Sequence, residues 1–135
     1  MACLDTTFLI DLGRQSGARQ TRARAKLRDL FERGERLCTT RFNVAELHVG
    51  VCRSGDAQRE RKAVEAVLSG LAILEFGQDE SAVFGRLTAH LQQLGRPTGD
   101  MDALIAATAL VAGETLVTRN PKHFAGIPGL TVETY

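Results

Sequence analysis

No Cys-x-x-Cys pair occurs in this chain, and its three cysteines, Cys3, Cys38 and Cys52, are too few and too scattered for a disulfide framework. None of His48, His90 and His123 has a second His or Cys at zinc spacing, so each reads as an isolated histidine rather than a ligand. No uncharged stretch approaches the ~20 apolar residues that span a bilayer, and Asp5 breaks the N-terminal segment where a secretory signal would need its apolar region. An odd cysteine count without such a signal implies reduced thiols, and a soluble cytoplasmic protein with no membrane partner is expected. Repeats and low-complexity tracts are also missing. The net charge of +1 gives no global sign of nucleic-acid binding.

What is present is a chain of 135 residues, 44% hydrophobic, sufficient for one domain over residues 1–135 with a substantial core. Its charge is unevenly spread. Arg14 to Arg28 holds six basic residues and no acid. Such a run is either a solvated helix face or a surface that meets phosphate or an acidic partner.

The stretch Gly99 to Thr118, GDMDALIAATALVAGETLVT, organises the rest. From Ala103 to Gly113 only Thr108 is polar, which predicts a buried helix closed at Gly113 and followed by a strand, Glu114 to Thr118. Asp100 is expected as its N-cap and Asp102 at its second position. Acids there complement the helix dipole and on their own need no further purpose.

Further strands are expected at Met1–Leu4, Arg36–Thr39, Leu71–Phe76 and Leu130–Glu133. Helices are expected at Phe8–Leu12, Thr21–Arg33, Arg41–Cys52, Asp56–Ser69 and Asp79–Leu94. Thr39 or Thr40 would cap the Arg41–Cys52 helix. The predicted inner faces are Ala25, Leu27, Leu30 and Phe31 on the second helix, and Phe42, Ala45, Val49 and Cys52, extended by Val44, Leu47 and Val51, on the third. Val83, Leu87, Leu91 and Leu94 mark the inner face of the Asp79–Leu94 helix. This alternation implies an α/β fold: a central, mostly parallel sheet of four to five short strands, flanked by helices on both faces.

In such a sheet ligands bind beyond the carboxyl ends of the strands, where Asp5 and the turn Arg119-Asn120 fall. Glu46 interrupts an otherwise apolar helix and needs a partner, because an unpaired buried charge is costly. Asp5, Glu46, Asp100 and Asp102 brought together would repel one another unless cations neutralised them. All-oxygen donors select Mg²⁺, with Mn²⁺ as a substitute. These ions suit phosphodiester hydrolysis by lowering the pKa of an attacking water.

Four ordered stretches, LDTTFLIDL, NVAELHVGV, DMDALIAATAL and LVTRNPKHFAGIPGLTVETY, make the chain resemble the PIN-domain ribonucleases, specifically the VapC type of toxin from bacterial toxin–antitoxin pairs. The resemblance runs nearly end to end. It implies a PIN-like nuclease domain and a Mg²⁺-dependent endoribonuclease, with Asp5, Glu46 and Asp102 as catalytic metal-binding acids and Asp100 as an auxiliary acid. Thr6 and Thr118 would orient the acids by hydroxyl hydrogen bonds. Asn120 stands where many relatives carry a fourth acid. The resemblance also implies an RNA substrate, a cognate antitoxin and a homodimer, and Arg22, Arg24, Arg28 and Arg119 are the residues expected to meet RNA or a partner. A non-catalytic RNA-binding or regulatory module of the same build is the alternative. A phosphoacceptor receiver domain is disfavoured, since only Asp5 follows the first strand and no acid immediately follows LAILEF.

Overall fold

In the computed structural model, which describes residues 1–135, strands and helices alternate from β1 (Ala2–Leu4) to β5 (Val132–Glu133). Between them lie α1 (Thr6–Gly13), α2 (Ala18–Glu32), β2 (Leu37–Thr40), α3 (Arg41–Arg53), α4 (Ala57–Leu68), β3 (Ala72–Leu74), α5 (Gln78–Gln93), α6 (Asp100–Ala112) and β4 (Thr115–Val117). The five strands form one sheet in the order β3-β2-β1-β4-β5, and every pairing is parallel. The chain runs outward from β1 through β2 to β3, then returns to place β4 on the other side of β1. That reversal opens a crevice between the carboxyl ends of β1 and β4, where α/β sheets bind ligands.

Side-chain alternation along these short strands divides the interior in two. Cys3, Cys38 and Leu116 face one side, where α5 and α6 supply Leu87, Leu91, Ile105, Ala106 and Ala109. Ala2, Leu4 and Val117 face the other, against Phe8 and Leu9 of α1, Ala23 and Leu30 of α2 and Leu47 of α3. Both faces are thus covered, as an all-parallel sheet requires. Cys3 and Cys38 are buried, free and paired in register across β1 and β2. No helix is long and apolar enough to cross a membrane.

Helix ends are fixed locally. Thr40 caps α3, its hydroxyl accepting from Asn43 N–H at 3.2 Å while Asn43 Oδ1 accepts from Thr40 N–H at 3.2 Å. At the far end of α6, Gly113 takes the left-handed conformation (φ 69°), which glycine adopts without a Cβ penalty. Gly113 N–H then returns to Leu110 O at 3.1 Å and Glu114 N–H to Ala109 O at 3.0 Å, closing the helix.

Several expected details differ. Helix α6 begins at Asp100 with Gly99 as its N-cap, so Asp100 is the first helical residue rather than the cap, and Asp102 is the third. Gly99 offers no side chain to bond the first turn. On α2 the inner face is Gln20, Ala23 and Leu30, with Leu27 half-buried; Ala25 is exposed and Phe31 is 62% exposed. On α3 the cap turns Asn43 inward, which carries Val44, Leu47 and Val51 in with it and leaves Ala45, Val49 and Cys52 exposed. Leu94 falls one residue past the end of α5 and points to solvent.

Candidate active site

Asp5 follows the last residue of β1 and is nearly buried. Its backbone N–H bonds to Val117 O at 2.9 Å, which locks it beside the end of β4. Asp5 is the N-cap of α1, yet its carboxylate caps nothing. Instead Oδ1 accepts from Asn43 Nδ2 at 3.0 Å, and Oδ2 accepts from the hydroxyls of Thr118 at 2.7 Å and Thr7 at 3.2 Å. Three donors from α3, β4's exit and α1 fix one carboxylate in a single orientation.

Glu46 reaches the same crevice from α3, and Thr6 Oγ1 donates to its Oε1 at 2.7 Å. Asn43 Nδ2 also donates to Thr6 Oγ1 at 2.9 Å, so one buried amide steadies both the Asp5 and Glu46 arms. Asn43 precedes Glu46 by three residues, the spacing that puts two helical side chains on one face. Asp102 enters from the first turn of α6. Its Oδ2 lies 3.3 Å from His123 Nδ1. His123 is therefore not isolated, as its sequence context suggested, but joined to an acid of the crevice through the turn Pro121–His123.

The electrostatics show that the three acids share one space. Burial pushes the Glu46 carboxyl above its ordinary range, the Thr6 hydroxyl opposes this, and the charges of Asp5 and Asp102 raise it further. Burial likewise raises Asp102; His123 pulls it back, and the charge of Asp5 adds to the rise. The charge of Asp5 thus makes both Glu46 and Asp102 harder to ionise, and that of Asp102 adds to the effect on Glu46. The side chains are not drawn into a closed cage, since no three Asp, Glu, His or Cys groups converge closely enough to grip an ion as they stand. Glu46 is turned to Thr6 and Asp102 to His123. The donor set itself is all carboxylate oxygen, which fits a hard divalent cation.

The remaining expected site residues divide sharply. Thr118 is fully buried, and beyond its bond to Asp5 it accepts from Asn120 N–H at 3.1 Å. Asn120 takes part through that backbone group. Asp100 is exposed at the start of α6. Arg22, Arg24 and Arg28 are exposed on α2, whereas Lys26 of the same run pairs with Glu133 at 2.7 Å.

Arg119 is committed to the interior. Its Nη1 donates to both oxygens of Asp11 at 2.7 and 2.9 Å, and its backbone N–H donates to Thr7 Oγ1 at 3.0 Å. Asp11 has no exposed surface. It also accepts from Tyr135 Oη at 2.7 Å and Arg14 Nε at 3.1 Å. Burial raises its pKa, but Tyr135, Arg14 and Arg119 outweigh burial and hold it below the usual carboxylate range. Tyr135 is raised in turn, first by burial and then by Asp11. Asn43 and Asp11 were not singled out from sequence. The signal for Asn43 was its place three residues after a capping threonine and three before Glu46; Asp11 had none short of the fold.

Comparison with known proteins identifies the fold and the family. The PIN domain family profile matches residues 2–130. Ribonuclease VapC2 of Rickettsia felis is 32% identical over 107 residues, covering 79% of this chain and 80% of that protein. The crystal structure of VapBC2 from Rickettsia felis, bound to a DNA fragment from their promoter, superposes with a TM-score of 0.89 at 28% identity, over 99% of this chain and 98% of that one. A toxin–antitoxin complex from Klebsiella pneumoniae superposes with a TM-score of 0.68 at 32% identity, over 97% and 96%. With its five-stranded parallel sheet and its acids gathered at the β1–β4 crevice, the chain belongs to the PIN-domain family, among relatives of the VapC type.

Proposed function

We propose that this protein is a Mg²⁺-dependent endoribonuclease, the toxin of a type II toxin–antitoxin pair, and that Asp5, Glu46 and Asp102 are its catalytic carboxylates. The observation that carries the reading is the delivery of three carboxylates to one crevice by β1, α3 and α6, with Asp5 and Glu46 held there by Asn43 and Thr6 and with the charge of Asp5 raising both Glu46 and Asp102. A stability-driven design would not gather buried like charges. Asp5, Glu46 and Asp102 would hold the divalent ion, with Asp100 close by in sequence as an auxiliary acid. When bound, the ion supplies charge neutralisation at the phosphodiester and a lowered pKa for an attacking water.

The chain's own residues do the positioning. Thr118, Thr7 and Asn43 fix the plane of the Asp5 carboxylate, and Thr6 fixes one oxygen of Glu46. The products are a 5′-phosphate and a 3′-hydroxyl. A cognate antitoxin completes the reading, supported by the VapC-type name of the relative and the toxin–antitoxin neighbour, and a homodimer is proposed with it from the resemblance alone. Retention of all three acids favours a catalyst over a module that only binds RNA.

Asp5→Asn, Glu46→Gln and Asp102→Asn should each abolish cleavage of RNA, and chelation of divalent ions should do the same to the wild type. Measured without metal, Glu46→Gln and Asp102→Asn should be as stable as the wild type or more so, because a repulsive charge is removed; Asp5→Asn also sets an amide against donors from Asn43, Thr118 and Thr7, so its loss of cleavage is to be read where the protein is fully folded. Asp100→Asn should cost less activity than Asp102→Asn. Full cleavage by any of the three variants would refute the assignment of that acid.

A further inference from the structure

Beside Asp102 the surface dips into a cavity of about 420 Å³ whose lining includes Arg96, Thr98, Gly99, Lys122 and His123. Its lining is mostly polar, with Pro97 and Ala125 among the exceptions. Arg96 and Lys122 are exposed and, like most basic residues of the chain, belong to no ion pair; what sets them apart is that they are the two Lys or Arg residues lining this cavity, which Asp102 also lines. Two cations without carboxylate partners thus flank one wall of the acidic crevice. From this juxtaposition we propose that the cavity is a binding subsite for an RNA backbone phosphate next to the one that is cut, with Arg96 and Lys122 as its contacts.

The chemistry requires something of this kind. An RNA strand crossing Asp5, Glu46 and Asp102 meets three carboxylates of its own sign, so its neighbouring phosphates need cations close at hand. Arg offers a planar fork suited to phosphate oxygens and Lys a point charge on a flexible stem. Gly99, the N-cap of α6, also lines the cavity, and no side chain caps the helix there. The basic residues of α2 are a separate surface, and this subsite differs from them in adjoining a crevice acid directly.

The inference rests on RNA being the substrate, and the test separates the two. Binding of a fluorescein-labelled, mixed-sequence single-stranded oligoribonucleotide is measured by anisotropy in chelating buffer across a salt series, for wild type, Arg96→Gln/Lys122→Gln and Arg59→Gln/Arg61→Gln. The last pair lies exposed on α4 and removes the same charge elsewhere. Each phosphate contact on a single strand contributes a slope of about 0.7 in log affinity against log salt, so loss of two should flatten the slope by about 1.4. The α4 variant should keep the wild-type slope, and Arg96→Lys/Lys122→Arg should restore most of it. An unchanged slope in Arg96→Gln/Lys122→Gln overturns the subsite and leaves its cations to a protein partner. Equal flattening in the α4 variant overturns it as well, by reducing the effect to net charge. If the wild type fails to cleave RNA with Mg²⁺ while the pocket-dependent slope persists, the nuclease reading fails and the cavity stands as a phosphate contact of a protein that only binds RNA.

Discussion

Asn43 Nδ2 donates to Asp5 Oδ1 at 3.0 Å, joining two residues 38 positions apart through a side chain with no exposed surface. The same amide holds Thr6, and its carbonyl oxygen accepts from Thr40 N–H and from Thr40 Oγ1 at 2.6 Å. A single buried residue therefore couples the cap of α3 to the acid at the end of β1. Asn43→Ala should destabilise the protein by about 1–3 kcal/mol, since the Thr40 hydroxyl and the Asp5 carboxylate lose a buried partner. Cleavage should fall even under conditions where the variant is fully folded. Denaturant unfolding alongside a cleavage assay checks this, and full activity in the folded variant would reduce Asn43 to a helix cap.

Arg119 was expected to meet RNA or a partner, yet its guanidinium is spent on Asp11. Arg119→Met should leave a fully buried carboxylate with Tyr135 and Arg14 alone, costing up to about 3 kcal/mol. Arg22→Gln, on an exposed face of α2, should shift stability by no more than about 0.5 kcal/mol. Thermal melts of both variants decide the matter. Unaltered stability in Arg119→Met together with weakened RNA binding would return Arg119 to the RNA surface.

Glu133 is held down to about 2, chiefly by hydrogen bonds from Arg33 and then Lys26. A carboxylate with a depressed folded-state pKa stabilises the fold above its ordinary range, and that contribution is lost as the pH falls from there towards about 2. Glu133→Gln should therefore lower Tm near neutral pH and approach the wild type at the acid end. The ion pairs are partly exposed, so the difference should be modest and should shrink with added salt. Melting curves that stay parallel across the whole pH range would remove Glu133 from the account.

By its resemblance to the PIN-domain ribonucleases, the chain would be expected to carry a fourth acid where it has Asn120. An amide adds a dipole but no charge, so the free protein should bind one Mn²⁺ well and take a second only with substrate. Asn120→Asp should tighten Mn²⁺ binding in the absence of RNA. Calorimetric titration of both proteins gives the answer, and two strong sites of similar affinity in the wild type would contradict the expectation.

The sequence by itself determined the order of elements and singled out Asp5, Glu46 and Asp102 as acids out of keeping with their neighbourhoods or placed at a helix entrance. The uncharged run from Ala103, the closing Gly113 and the threonine ahead of α3 are local signals, and local hydrogen bonds suffice to realise them. Asp5 after a strand and Glu46 in an apolar helix were legible because each is chemically out of place in its own neighbourhood. What only the tertiary structure decided is which side of each helix faces in and who meets whom. Helix α3 has apolar residues around most of its circumference, so pattern alone put Phe42, Ala45, Val49 and Cys52 on the inner stripe and Val44, Leu47 and Val51 at its margin, whereas in the fold Val44, Leu47 and Val51 are buried with Asn43 and Ala45, Val49 and Cys52 are exposed. Phe31 reads as core by hydropathy, yet the turn of α2 that buries Ala23 and Leu30 leaves it in solvent. The pairs Asp102–His123 and Asp11–Arg119 span 21 and 108 positions. Such contacts depend on strand register and helix rotation together, and no local periodicity encodes that combination.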